Sequence, residues 1–167
     1  MPALLPGLFS RLTHGVYVIG VADGERHNAF TAAWVMQVSF DPPMLALSIN
    51  PAHFSYRLLQ SGQGFSVNVL SRDRVDLARH FGQPASVDKL AHVGWRRTGT
   101  GMPRLDDALA WFDCRVKAAL PAGDHIVVTG VVVDGACADE AAEPLNYRDT
   151  GALDGSAALY PNQFPDG

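Results

Sequence analysis

Short apolar runs separated by glycine, proline and aspartate dominate the chain. They predict strands, with a helical spacing interrupting them in a few places. Leu8 to His14 carries Leu8, Phe9 and Leu12 on one side, which predicts a short amphipathic helix. Gly15 to Val21 reads as a strand, Asp23-Gly24 as a turn, and Glu25 to His27 as a loop,. A strand over Val35 to Phe40 is stopped by Asp41-Pro42-Pro43, and a second covers Met44 to Ile49,. Phe54 to Gln60 predicts a helix ending at Ser61-Gly62, and Gly64 to Leu70 a strand. Ser71 to Phe81 predicts a helix, with Asp73 in its first turn, Arg79 and His80 in its last, and Gly82 ending it,. Gln83 to Arg104 reads mostly as loop anchored by Trp95. Ala108 to Leu120 and His125 to Ala136 predict two long strands joined by the turn Pro121 to Asp124,. Asp139 to Glu143 is an acidic connector, and the Gly-, Asp- and Pro-rich tail from 151 predicts partial disorder,. Many strands with a few short helices predict a mainly β fold, a barrel with helical insertions, in a single domain over 1–167,.

With 167 residues the chain can bury about two-thirds of its unfolded surface in one core,. A net charge of −4 with no basic cluster argues against nucleic acid and gives no support for a membrane surface,. No apolar run approaches the ~20 residues that span a bilayer. The start, Met1 to Gly7, has no basic n-region and is broken by prolines, so a cytoplasmic location is expected,. Cys114 and Cys137 form no metal or redox motif,. On the predicted hairpin Cys114 faces the neighbourhood of Val131, and the offset to Cys137 is about 20 Å, too far for a disulfide. Both are expected as thiols, with one or both buried. His14, His27, His80 and His92 are scattered without metal-ligand spacing, so no metal site is expected,.

The candidate chemistry concentrates between Asn28 and Ser55. Small residues from Asn28 to Trp34 allow backbone N–H and C=O groups to approach the edge of a flat polar ring,. A loop from Asn50 to Ser55 feeds a helix, and a serine there offers a hydroxyl and free N–H groups to a phosphate,. The plain alternatives are a barrel hairpin and an ordinary N-cap.

The same stretch resembles the flavin reductase-like family, the FMN-binding split β-barrel proteins. The resemblance is carried by Asn28, Thr31-Ala32, Trp34, Ser39, Asp41-Pro42-Pro43, Ser48 and Ser55. It continues in Ser61-Gly62, in Phe65 to Leu70, in Gly123-Asp124-His125, and in Pro144 to Arg148, so that it runs from about Phe9 to Arg148. It implies a split barrel and an NAD(P)H:flavin oxidoreductase. NADH or NADPH would give a hydride to bound FMN or FAD, and reduced flavin would pass to a partner such as a monooxygenase. It also implies a homodimer.

Residue by residue, the resemblance lays Thr31, Ala32, Ala33 and Trp34 along the flavin ring. Ala33 departs from a common serine and Ala29 from a common glycine. The ribityl chain and phosphate fall to Ser48, Ile49, Asn50, His53 and Ser55, with Phe81 and Lys89 as further phosphate-side contacts. His125 and Tyr147 are the implied catalytic residues, and Asp124 would fix the His125 tautomer. The plain alternatives are a buried strand for Thr31 to Trp34, a core phenylalanine, a solvated lysine, a turn histidine and a packing tyrosine. Two other function classes stay open: a flavin-binding electron carrier without its own NAD(P)H site, and a barrel without enzymatic function.

Overall fold

The computed structural model describes residues 4–151 and 153–165. Seven strands form one open antiparallel sheet in the order β2-β1-β5-β8-β9-β4-β3. They are β1 (Tyr17–Asp23), β2 (Arg26–Ala32), β3 (Val35–Ser39), β4 (Met44–Ile49), β5 (Gly64–Val69), β8 (Ala110–Ala122) and β9 (His125–Cys137). A separate two-stranded ribbon pairs β6 (Trp95–Arg97) with β7 (Pro103–Leu105). The sheet curls without closing, leaving β2 and β3 as its edges. The expected mainly β architecture is therefore present.

One face of the curled sheet holds an apolar core around Ile19, Val21, Leu47, Phe65, Val67, Cys114 and Val128. Helix α2 (Phe54–Gly62) closes one end of that core with Leu58 and Leu59. Its last residue, Gly62, lies directly on β1, where any Cβ would collide with the Ala22 carbonyl. A second core packs α3 (Val75–Phe81) through Leu77, Ala78 and Phe81 against Val16, Val18 and Leu70.

Between the ribbon and the sheet lies a buried polar layer. Asn68 donates to the Val18 carbonyl at 2.9 Å and to Ser66 Oγ at 3.2 Å, and accepts from Leu105 N–H at 2.8 Å. Ser66 donates to the Pro103 carbonyl, and the fully buried Asp113 accepts from the N–H and hydroxyl of Thr100. Gly20 is required beneath, since a Cβ there would meet both the Pro103 carbonyl and Ser66 Oγ.

Several local expectations shift. Helix α1 covers Leu4–Phe9 rather than 8–14, because Pro6 is tolerated in a first helical turn, and the chain leaves the helix in turns at Arg11 and Leu12,. Arg26 and His27 belong to β2, since Gly24 at φ 60° allows a tight turn and Asp23 pairs with Arg26 at 2.6 Å across it. Helix α3 starts at Val75 because Ser71 and Asp73 bond to each other in a preceding turn. Asp76 therefore takes the first-turn place expected of Asp73, while Arg79 and His80 sit in the last turn as expected.

The loop expected over 83–104 contains β6 and the start of β7, with Trp95 opening the ribbon. The long hairpin turns on Gly123-Asp124 alone, with Pro121 and Ala122 still paired. Cys114 lies opposite Val132, one place from expectation, and both cysteines are free, Cys114 buried and Cys137 exposed.

The chain after β9 leads into the tail from 151. Asn146 caps a 3-10 turn over Tyr147–Thr150, a second covers Ser156–Leu159, and Tyr160 stacks on Phe9 at 5.2 Å. Arg148 donates to the carbonyls of Ser10 and Arg11. Residues 152, 166 and 167 of that tail, and 1–3 of the start, lie outside the described residues.

Candidate cofactor site

The entry to α2 is built from side chains of β2 and of the first turn of the helix. Asn28 of β2 donates to Ser55 Oγ at 2.8 Å, and Ser55 is fully buried. His53 is the N-cap of α2, its Nδ1 accepting from Ser55 N–H at 3.2 Å. An accepting Nδ1 is unprotonated, so the ring is neutral and carries its proton on Nε2. Phe30 packs against the same ring at 4.7 Å.

Lys89 approaches from the far side. It is 1% exposed, and its ammonium donates to the carbonyls of Phe81 and Gln83 at 3.2 and 3.1 Å. It thus covers the C-terminal, partially negative end of α3. Among the described residues no carboxylate forms an ion pair with it. Burial pulls its pKa below the ordinary lysine value. Phe81 contributes its carbonyl here, while its ring is fully buried in the core.

Burial, and then the charge of Lys89, hold His53 below its ordinary value of 6.5. The unfolded chain therefore takes up a proton that the folded state resists. The His53 contribution to stability is complete above 6.5 and is lost as the pH falls toward the folded-state pKa,. Melting temperature is expected to drop over that interval. His53→Asn, which still caps but does not titrate, should flatten the drop. An equal drop in both proteins would assign it to other groups.

The second group lies along the ends of β2 and β4. Thr31 spends its hydroxyl on the Ala78 carbonyl at 2.6 Å, pinning β2 to α3. Ala32 ends β2, and Ala33 and Trp34 form the connection to β3. The Trp34 carbonyl accepts from Ser48 N–H at 3.0 Å, while the indole is half-exposed. It meets the His125 ring at 4.9 Å between centroids. His125 opens β9 and bonds through Nδ1 to Asp124 at 2.7 Å. That bond holds the Asp124 carboxyl below the usual range. Ile49 is buried in the core, and Asn50 accepts from Ala52 N–H, shaping the turn toward His53.

Two expected residues stand apart. Ser39 lies at a bulge near the far end of β3, about 17 Å along the strand from Trp34,. Tyr147 packs edge-on to His14 and donates its hydroxyl to Asp154 at 2.7 Å, which engages it with the tail. Burial raises its pKa. Sequence reasoning passed over Phe30, whose ring backs His53; its place in an alternating strand was the available signal.

The flavin reductase like domain model matches residues 9–155. The chain is 34% identical over 140 residues to a high molecular weight rubredoxin of Moorella thermoacetica, covering 81% of this chain and 61% of that protein. It is 33% identical over 132 residues to a probable flavin reductase of Rhizobium meliloti, covering 78% of this chain and 42% of that protein. Thus the chain spans less than two-thirds of either relative. Among solved structures, the NADH:FAD oxidoreductase SgcE6 of Streptomyces globisporus C-1027 superposes with a TM-score of 0.80 at 26% identity. That likeness covers 87% of this chain and 88% of the other. With a model match across most of its length on a curled, open β-sheet, the chain belongs to the flavin reductase like domain family.

Proposed function

We propose that this protein binds FMN or FAD and reduces it with NADH or NADPH, handing reduced flavin or its electrons to a partner such as a monooxygenase. The observation that carries this reading is Lys89, a buried ammonium that among the described residues bonds only to carbonyls, beside a neutral His53 that keeps an Nε2–H. Burying a cation without an anion is costly, and a phosphate would compensate it. The donor set therefore fits the phosphate end of a flavin nucleotide. The N–H of Ser55 is engaged by His53 and its Oγ accepts from Asn28, so the hydroxyl hydrogen is the donor it would offer,. Ser48 and Asn50 border the path from this end to the small-residue segment Thr31–Trp34, whose backbone would meet the ring edge.

The flavin supplies the hydride-accepting chemistry. The protein positions it, and His125 stands at the mouth of the long hairpin to orient the donor or move a proton,. The name of the Streptomyces globisporus neighbour supports NADH as a donor. The free thiols fit a cytoplasmic setting, and among the described residues no helix is long and apolar enough to cross a membrane.

A homodimer is part of the proposal. Edge strand β3 and its flanks expose Trp34, Met36, Val38 and Phe40 beside the ring segment, Phe40 at 91%. An unpaired apolar edge of this kind calls for a cover.

The deciding experiment is the absorption spectrum of purified protein with FMN, recorded without oxygen before and after NADH or NADPH. Bound yellow flavin that bleaches is the expected result. Flavin that binds but bleaches only with dithionite would favour the electron-carrier alternative, which the rubredoxin-named relative supports. No uptake of FMN or FAD would remove both.

A further inference from the structure

The contact between Trp34 and His125 goes beyond the ring-edge role expected of the Thr31–Trp34 backbone, and its interpretation rests on the function proposed above. We infer that Trp34 is a positioning residue for His125: with Asp124 it fixes the imidazole so that Nε2 accepts a hydrogen bond from the carboxamide of the nicotinamide donor.

The tautomer follows from the partners. A carboxylate can only accept, so the Nδ1 that lies 2.7 Å from Asp124 carries the proton,. A neutral ring then has its single lone pair on Nε2, and among the described residues nothing hydrogen-bonds to that nitrogen. A primary amide N–H is a matching donor.

One hydrogen bond leaves the ring free to rotate about it. Asp124 is also a weak anchor, with its side chain 88% exposed and adjacent in sequence. The second restraint comes from Trp34. Its indole lies 4.9 Å from the imidazole, tilted by 53°, within the range of favourable aromatic pairs,. Trp34 can act as a fixed reference because Ser48 N–H holds its carbonyl at 3.0 Å, tying its backbone to β4. The indole is 47% exposed, so it is no core anchor. The β2–β3 connection and the tip of the β8–β9 hairpin, far apart in sequence, thus meet through these two rings.

The test has two arms. In the flavin-free protein, nitrogen-15 NMR of the histidines should show His125 protonated on Nδ1. Its ring protons should be shifted upfield by the indole. Trp34→Ala should abolish the upfield shift, and Trp34→Phe should keep part of it.

In the flavin-loaded protein, stopped-flow reduction is compared for NADH and for reduced 3-acetylpyridine adenine dinucleotide, whose acetyl group cannot donate. The difference in intrinsic reactivity is the same for every variant, so the change in the rate ratio isolates the contact. Trp34→Ala and His125→Ala should each shrink the preference for NADH by about 3- to 10-fold, the worth of one neutral hydrogen bond. Trp34→Phe should restore it.

An unchanged ratio in Trp34→Ala, or an Nε2–H tautomer in the wild type, overturns the inference. An unchanged ratio with weakened flavin binding reassigns Trp34 to the ring site and leaves the proposed function standing. Failure of the wild type to oxidise NADH overturns the inference together with the function it rests on.

Discussion

Asn68→Ala will destabilise the fold by about 3–5 kcal/mol, a large share of the ~5–15 kcal/mol that holds a domain together. Asn68 is fully buried and joins three segments. Its amide donates to the Val18 carbonyl of β1, to Ser66 Oγ of β5 and, at 3.4 Å, to the Pro103 carbonyl of β7. Its carbonyl oxygen takes the Leu105 N–H. Truncation leaves that N–H without its partner where water does not reach, at about 1–3 kcal/mol, and takes a side-chain donor from the Val18 carbonyl of a strand paired on both sides,. A small cavity adds to the loss. The urea midpoint should fall with little change in slope. Trp95, at the root of the ribbon, should report its release in fluorescence. A loss below about 1 kcal/mol would mean that the ribbon is held by its apolar contacts and by the bonds of Ser66 and Asp113,.

Lys89→Met will weaken FMN binding by about 10- to 100-fold and leave riboflavin binding nearly unchanged. One hydrogen bond to a charged group is worth roughly 1.5–3 kcal/mol, and ~1.4 kcal/mol is tenfold in affinity. Methionine keeps the length of the side chain and removes the charge. It also strips the cap from α3, since the Phe81 and Gln83 carbonyls lose their donor, so some stability is lost as well. Riboflavin, which has no phosphate, is the control for that loss. Equal weakening of both ligands would assign Lys89 to structure. Ser55→Ala should have the smaller effect on FMN, because it removes a neutral hydroxyl donor and no charge.

Much of the strand pattern was legible because apolar alternation and turn residues mark strands locally. The ribbon was not. Its strands, Trp95–Arg97 and Pro103–Leu105, are too short to show a period, and what holds them is polar. The Phe65–Leu70 segment shows the same limit. Its alternation revealed a strand, but the use of Ser66 and Asn68 as clamps depends on Pro103 and Leu105, far ahead in a stretch with loop composition.

In the candidate site, residue type was legible and environment was not. Lys89 reads as a charge, and only the return of the chain across the end of α3 buries it. Thr31 reads as part of a small-residue ring segment, and the engagement of its hydroxyl by the Ala78 carbonyl of α3 is not visible in the sequence. The meeting of Trp34 with His125 depends on β4 lying between β3 and β9, and a two-residue period is silent about strand order. The glycines and prolines of the tail signal irregular backbone, and nothing local in it announces that Tyr160 stacks on Phe9.

The tail has a further bearing on how the chain acquires its structure. Val16 N–H bonds to the Leu145 carbonyl, Leu145 N–H to the Leu70 carbonyl, and Arg148 to the turn after α1. Sheet order compounds this, since β1 must find β5, β5 must find β8, and β4 must wait for β9. Such high contact order makes folding slow compared with a helical bundle of equal length. During synthesis at about 5–20 residues per second, β1 and α1 wait several seconds for the segment that fastens them. Until residues 145–148 emerge, the nascent chain lacks the contacts that fasten β1 and α1, a window in which a chaperone would be of use,.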